Sequence, residues 1–510
     1  MKWLNFKYFH YCIVGLLLLI PILGSGQQYN SPLNHSFSVD LEREILKSDA
    51  IVHSGFKPIL ITAIDESVQN DSSLFQTIAI SRRSGKSFVA RKLFHEHLIS
   101  LDTGIVHLTI DPILNLEYGQ ELENDPRNIN LYKSTRGFNV KLMLGEKVAV
   151  ESSFRENQAN LPQYLSNRVD QTQEAYGQGR VKKFGDFGYD FAMASAYISY
   201  SPSKRINIQA GHGKHFVGNG YRSILLSDLS FNYPYIKINT NWFDNKLQYQ
   251  NMYTLFQDLG RVNSDGFSEA LFERKQGAFH YLEYSPSSKL NIGFFEGIVF
   301  PSLDTSGNIP VSASYWVPVI FLNTLIEDKE SKAESVIGTN ISLRIAKHVE
   351  VYNQFSISNK EFDDPGIQIG AKWFFLNHFM IQAELNSTPN LTTQRIYSHY
   401  NQSLNHPVSG SNELIGIVQF QKNRWQTRLK LNTLTYKQTE VNYLDFRQAF
   451  IVNPSYNFTF HLGAQYRKQY VNEGGETQIH GNPVYLSRDN QSFYFYFGLS
   501  TNLQNLYFDY

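Results

Sequence analysis

The stretch Gly211–Asp228, GHGKHFVGNGYRSILLSD, gathers glycines around His212, Lys214, His215 and Arg222. By composition it could be a phosphate cradle or a metal site, and its spacing argues against both. A phosphate loop places its lysine after the last glycine, before Ser or Thr, at the start of a helix. Here Lys214 precedes Gly218 and Gly220 and is followed by His215. The next segment, YPYIKINTNW (Tyr233–Trp242), is strand-like. His212 and His215 are three apart, but no helix brings them onto one face and no third ligand lies near them. FHEHL (Phe94–Leu98) puts His95 and His97 on one side if it is a strand, but it is not H-E-x-x-H. No G-x-S-x-G occurs, and nothing singles out a Ser/His/Asp set. The expectation is no catalytic residue, no metal and no cofactor. The bland reading is a strand, RINIQAG (Arg205–Gly211), running into a turn whose glycines allow close backbone packing.

What would position such a stretch follows from the whole chain. Its 510 residues carry 46 Lys+Arg against 46 Asp+Glu, so there is no electrostatic case for a nucleic-acid partner. Charged residues make up only 18% and aromatics 14%, a balance suited to a surface that faces lipid and headgroups. Residues 1–26 read as a secretory signal peptide: Lys2 and Lys7, then the apolar block CIVGLLLLIPIL (Cys12–Leu23), then small residues to Gly26. The block is short of the ~20 residues a spanning helix needs. Cleavage near Gly26 removes the only cysteine, Cys12, which excludes disulfides, thiolate ligands and a cysteine nucleophile from the mature chain.

From about residue 104 onward the pattern is period-2 alternation. Phe138, Val140, Leu142 and Leu144 oppose Asn139 and Lys141. Ile367, Ile369, Ala371 and Trp373 oppose Gln368 and Lys372. Phe458, Phe460 and Leu462 oppose Thr459, His461 and Gly463. Tight turns (LGEK, SPSK, SPSS, FLNH) alternate with long polar joints such as Asn157–Tyr189, Gly260–Lys275, Asn386–Asn412 and Asn472–Asn490. Alternating short and long connections predict an all-β, transmembrane antiparallel β-barrel over residues 104–510, with turns in the periplasm and loops outside. Counting runs gives about 18 strands, within 16–20, each near the ~9–11 residues of a tilted span. Only a closed barrel satisfies every backbone group of such strands in lipid. The terminal LQNLYFDY (Leu503–Tyr510) reads as a last strand whose outward aromatics, ending at Tyr510, would engage the barrel-insertion machinery. Residues 27–103 read as a small, partly helical periplasmic segment. SVDLEREILKSDA (Ser38–Ala50) is its helix, with Asp40 and Glu42 in the first turn. Val89–Leu101 fits helix or strand.

One string carries more than pattern. GNGYRSILLSD (Gly218–Asp228) resembles a G-x-G-x-R-S-[LI]-[LI]-L-S-D signature of the Wzi-type capsule-assembly outer-membrane proteins, matching at Gly218, Gly220, Arg222, Ser223, Ser227 and Asp228. FRENQANLPQYL (Phe154–Leu165), with Glu156, Asn157, Gln158 and Pro162, resembles the RemB-like gliding-motility branch of that family. The resemblance implies an outer-membrane barrel of about 18 strands preceded by a periplasmic helical segment. It implies a non-enzymatic function at the surface of a Gram-negative bacterium: binding or organising capsular polysaccharide, or serving motility or adhesion. A channel or an enzyme is the lesser reading. Arg222 and Asp228 are expected to face inward, because charges on the lipid face cost ~2–4 kcal/mol at mid-membrane. Whether they are structural or contact a ligand stays open at this stage.

Overall fold

The computed structural model describes residues 28–510 apart from 62–86, 123–126, 128, 262–271, 305–306, 327–331, 360, 391–395, 472–476, 480–481, 485–489 and 502–503. The signal-peptide segment lies outside the described residues. Eighteen antiparallel strands close into one barrel. In chain order they are β1 (Val106–Glu121), β2 (Leu131–Leu144), β3 (Val148–Asn160), β4 (Gly188–Ser203), β5 (Ile206–Gly213) and β6 (Tyr233–Trp242). There follow β7 (Leu247–Arg261), β8 (Phe272–Ser287), β9 (Leu290–Asp304), β10 (Glu334–Ala346), β11 (Val349–Ser358) and β12 (Glu361–Phe375). The last six are β13 (Phe379–Ser387), β14 (Ser411–Lys422), β15 (Trp425–Tyr436), β16 (Thr439–Asn453), β17 (Phe458–Val471) and β18 (Asn490–Thr501). The closing seam joins β18 to β1, with Phe497 opposite Tyr118. Closure leaves no sheet edge, which is what allows these strands to sit in lipid.

The alternation read from sequence sets the two faces. Ile236, Ile238, Ile367, Ile369, Leu414, Leu431, Phe495 and Phe497 are exposed on the outside, while Asn139, Gln368, Lys372 and His461 are buried within. Trp242, Phe243, Trp373, Leu376 and Trp425 stand exposed at one rim, an aromatic girdle of the kind that sits at headgroup level. At that rim β2–β3, β4–β5, β8–β9 and β12–β13 are joined by the turns that LGEK, SPSK, SPSS and FLNH announce. Gly145 and Asn377 adopt the positive φ those turns require. The opposite rim carries the long joints, save two: only 359–360 joins β11 to β12, and only 437–438 joins β15 to β16. A charge on the outward belt should therefore be expensive. Ile369→Arg, at a position 53% exposed in mid-β12, is expected to cost ~2–4 kcal/mol, measured as the shift in urea needed to unfold the lipid-embedded barrel.

Residues 28–61 of the amino-terminal segment dock inside the wall. Helix α1 (His35–Lys47) is capped by Asn34, which accepts from the Phe37 N–H, and it buries Val39, Leu41, Ile45 and Leu46. It starts three residues before Ser38, so Asp40 and Glu42 fall beyond its first turn. Their partners are lumenal instead: Lys372 Nζ donates to Glu42 at 2.7 Å, and Gln421 donates to Asp40 at 2.6 Å. Val89–Leu101 divides into a short helix, Phe88–Phe94, and a strand, Ile99–Asp102, that pairs with β1. His95 caps the helix and His97 bonds Asp111 of β1, so FHEHL is not one strand face.

The carboxyl terminus departs from expectation. The last strand is β18, ending at Thr501, and residues 504–510 form no strand. Tyr507, Asp509 and Tyr510 are buried inside the barrel. Tyr510 therefore presents no strand to an insertion machinery. The physical reason is Asp509: its carboxylate needs cationic partners, and Arg222 and Lys430 supply them only in the lumen.

Candidate functional site

Loop 214–232, between β5 and β6, leaves the long-loop rim and folds into the barrel, where Gly218–Ser230 are buried throughout. Phe216–Val217 pairs with Phe56–Lys57 of the amino-terminal segment. Val217, Leu225 and Leu226 pack with Phe56 and the inward rings of Phe279, Tyr281 and Phe295. Two glycines make this close approach possible. Gly218 has φ +140°, and a Cβ there would lie 2.4 Å from Gln354 Nε2. A Cβ on Gly220 would lie 2.5 Å from Glu384 Oε2, which accepts the Tyr221 N–H at 2.6 Å. Gly218→Ala is expected to destabilise the barrel by about 1–3 kcal/mol through backbone strain and overpacking, measured by thermal unfolding in detergent.

Both charged residues of the signature hold the carboxyl-terminal tail. The Arg222 guanidinium donates to Glu413 through Nε (3.2 Å) and Nη2 (2.9 Å), and through Nη2 to Asp509 (2.9 Å). It lies among the rings of Tyr221, Tyr507 and Tyr510. Lys430 closes the group by donating to Asp509 at 2.8 Å. Burial alone would weaken the charge on Arg222, but Asp509 and Glu413 outweigh it and hold its pKa above the ordinary value. Burial likewise works against the Asp509 carboxylate, but Arg222 and Lys430 hold it below the usual carboxylate range. Asp228 accepts from Tyr507 Oη (2.7 Å) and Asn505 Nδ2 (2.9 Å), while Asn505 also accepts from the His35 N–H (2.8 Å). Ser223 donates to the Val217 carbonyl at 2.5 Å, and the Ser227 N–H donates to the Leu404 carbonyl of loop 388–410 at 2.6 Å.

The second string reaches the same tail, though not through all the residues singled out. Glu156 is exposed on the outer face opposite Arg136. Gln158 shares that outer face. Asn157 points inward, accepting from Thr135 and donating to the Phe191 carbonyl. Pro162 caps the helix Gln163–Thr172. The residues that flank them touch the tail: Arg155 donates to Gln504 Oε1 (3.0 Å) and Tyr164 to the Phe508 carbonyl (3.1 Å). Sequence reading missed Glu413, Lys430 and Glu384. The one available signal was Asp509, a lone acid among terminal aromatics.

The histidines of the opening stretch point to partners other than each other. The His212 ring donates to the Ala194 carbonyl, and His215 packs edge-on against Tyr235. Among the described residues no group of three His, Cys, Asp or Glu side chains could hold a metal ion. Lys214 donates to the Gly177 and Asp228 carbonyls; burial lowers its pKa to about 8, against the pull of Asp228.

Fold and site together define a closed eighteen-strand barrel filled by its own polypeptide. Among solved structures the chain is similar to Wzi of Escherichia coli, described as an outer-membrane protein involved in group 1 capsule assembly and a carbohydrate-binding β-barrel. The TM-score is 0.54 at 10% identity, covering 93% of this chain and 99% of that one. It also matches OccAB2 of Acinetobacter baumannii (TM-score 0.42, 10% identity, 77% and 97% covered) and OpdK of Pseudomonas aeruginosa (0.43, 9%, 77% and 98%). No protein-family model matches the sequence, and no curated protein matches it. At 10% identity the likeness to Wzi speaks to the fold alone.

Proposed function

We propose that this protein is a non-enzymatic outer-membrane barrel that binds or organises surface polysaccharide on a Gram-negative cell, exported through a cleaved amino-terminal signal. The observation that carries the reading is the filled lumen. A barrel of 16–18 strands left empty encloses an aqueous channel. Here loop 214–232, the tail and the amino-terminal segment occupy it and bond to one another. A barrel so filled is a rigid platform, and its long-loop rim is the working surface. The carbohydrate-binding description of Wzi supports the same reading. At that rim the hairpin that includes Lys182–Phe184 exposes Lys182, Phe184 and Phe187 together. Apolar ring faces beside a cation suit an acidic sugar chain. Arg222 and Asp228, each 2% exposed, serve this function by fixing the interior rather than by touching the polymer.

Deleting the gene should release cell-bound polysaccharide into the medium. Purified barrel should bind that polysaccharide, and a combined Lys182→Ala, Phe184→Ala, Phe187→Ala variant with unchanged melting should bind it weakly. Cell-bound polysaccharide unchanged by the deletion would refute the proposal. The motility reading is favoured by the second string, whose Arg155 and Tyr164 join the tail network. A deletion strain that keeps its capsule but fails to spread on agar would select it.

A further inference from the structure

The tail does not fill the lumen completely. A chamber of about 170 Å3 lies between α1, the tail and the inner faces of β1–β3 and β15–β18. Its cations are Lys133, Arg155, Arg428, Lys430 and Arg447, and its carboxylates are Glu117 and Asp445. His35 and His461 complete the ring-nitrogen and charged lining. Three of the cations are matched: Lys133 by Glu117, Arg428 by Asp445 and Lys430 by Asp509, each at 2.8 Å. Arg155 and Arg447 have no ion-pair partner among the described residues. Arg155 meets only the neutral Gln504, and Arg447 only the Ser500 hydroxyl at 3.3 Å. The Nε of each is closed off from solvent without a hydrogen-bond partner, as is that of the paired Arg428, so it is the lack of an ion pair that sets Arg155 and Arg447 apart. A half-buried guanidinium with no carboxylate opposite it is an unfinished arrangement, and a planar carboxylate is the group its fork of donors fits.

The rest of the lining favours a hydroxylated ring. Asn115, Thr135, Asn157 and Gln465 offer short polar groups, and Tyr443 and Tyr496 offer ring faces. The size agrees, since a cavity of ~150 Å3 accommodates one six-membered ring. We infer that this chamber is a binding site for a small hydroxylated carboxylate, a single sugar acid in size, held by Arg155 and Arg447. This site is separate from the rim proposed for the polymer and does not rest on that reading.

The test uses the full-length barrel in detergent with glucuronate as the probe, glucose as the neutral control and inorganic phosphate as the anionic one, read by titration calorimetry. Glucuronate should bind saturably, glucose should not, and phosphate should bind more weakly than glucuronate. Arg447→Gln and Arg155→Gln, each first shown to melt like the parent, should each weaken glucuronate binding roughly tenfold or more, as loss of one charge-assisted contact does. Because Arg447 makes no hydrogen bond to the tail among the described residues, its variant separates ligand binding from tail anchoring. Glucuronate binding no tighter than glucose or phosphate would overturn the inference. So would binding that both variants leave unchanged. Loss of polymer binding with glucuronate binding intact would count against the rim alone.

Discussion

Arg222→Ala is expected to assemble into a barrel that unfolds far more readily than the parent. The guanidinium is 2% exposed and bridges two carboxylates, Glu413 and Asp509, that are fully buried. Breaking a buried ion pair by removing one partner costs ~3–5 kcal/mol, because the charge left behind has no water to go to. The lower end applies here: Lys430 still reaches Asp509, and His406 still reaches Glu413 at 2.8 Å. Arg222→Lys should recover little, since an ammonium cannot span both carboxylates with a rigid fork. Arg222→Met combined with Glu413→Met should recover more than either single change, as apolar replacement of a buried pair does. The readout is the temperature at which the folded, fast-migrating form disappears on a gel. Melting of Arg222→Ala at the parent temperature would show that the bridge does not hold the lumen together.

The same site predicts an acid response of definite sign. The folded-state pKa of Asp509 lies below the ordinary value for an unfolded aspartate, ~3.8. The folded state thus binds fewer protons than the unfolded one in that range. The stabilisation is complete above the unfolded pKa and is lost as pH falls through the folded one. Asp509→Asn should flatten that acid limb, and an unaltered limb in this variant would assign acid unfolding to other groups.

How much of this was legible in the sequence depends on which side of the wall a residue faces. Outward residues face lipid everywhere, so the alternation through Phe138–Leu144 or Ile367–Trp373 is clean and the strands could be read. Inward residues face whatever fills the lumen, and here that is protein. Ile415 and Ile417 point inward and are buried against the plug, so ELIGIVQF is apolar on both faces and Glu413 disappears into it. Met252, Phe279 and Phe295 are inward for the same reason. A polar lumen was the wrong premise for those strands. The signature loop could be recognised as a string, yet its partners could not, because Asp509 lies 287 residues from Arg222 along the chain. The tail defeats the pattern for a related reason: its alternation of Leu506, Phe508 and Tyr510 matches a strand, and the demand of Asp509 for cations, with the burial of Tyr507 and Tyr510, sends it inward.

Removing residues 503–510 should turn a filled barrel into a conducting one without preventing its assembly. Strand β18 ends at Thr501 and already carries Phe493, Phe495, Phe497 and Leu499 on its outer face, an aromatic row suited to insertion. If that row is the insertion signal, the truncated chain reaches the membrane in normal amount. Inside, the truncation removes the residues that separate the chamber beside Arg447 from a second one, of about 130 Å3, lined by Asn30, Lys141, Tyr197 and Lys214. The two share Arg155, Gln504 and Asn505, so loss of the tail joins them into one water-filled space. It also strips Asp228 of Tyr507 and Asn505, and Arg222 of Asp509, which leaves loop 214–232 held by Glu413 and Glu384 and by the packing of Leu225 and Leu226 against Phe56. In planar bilayers the parent should be silent, and the truncated barrel should show stable steps that fluctuate as the loop moves. Asp509→Asn, which keeps the tail in place but weakens its anchor, should give brief openings only. A truncated barrel that assembles, melts cooperatively and stays silent would show that the loop and the amino-terminal segment close the lumen unaided.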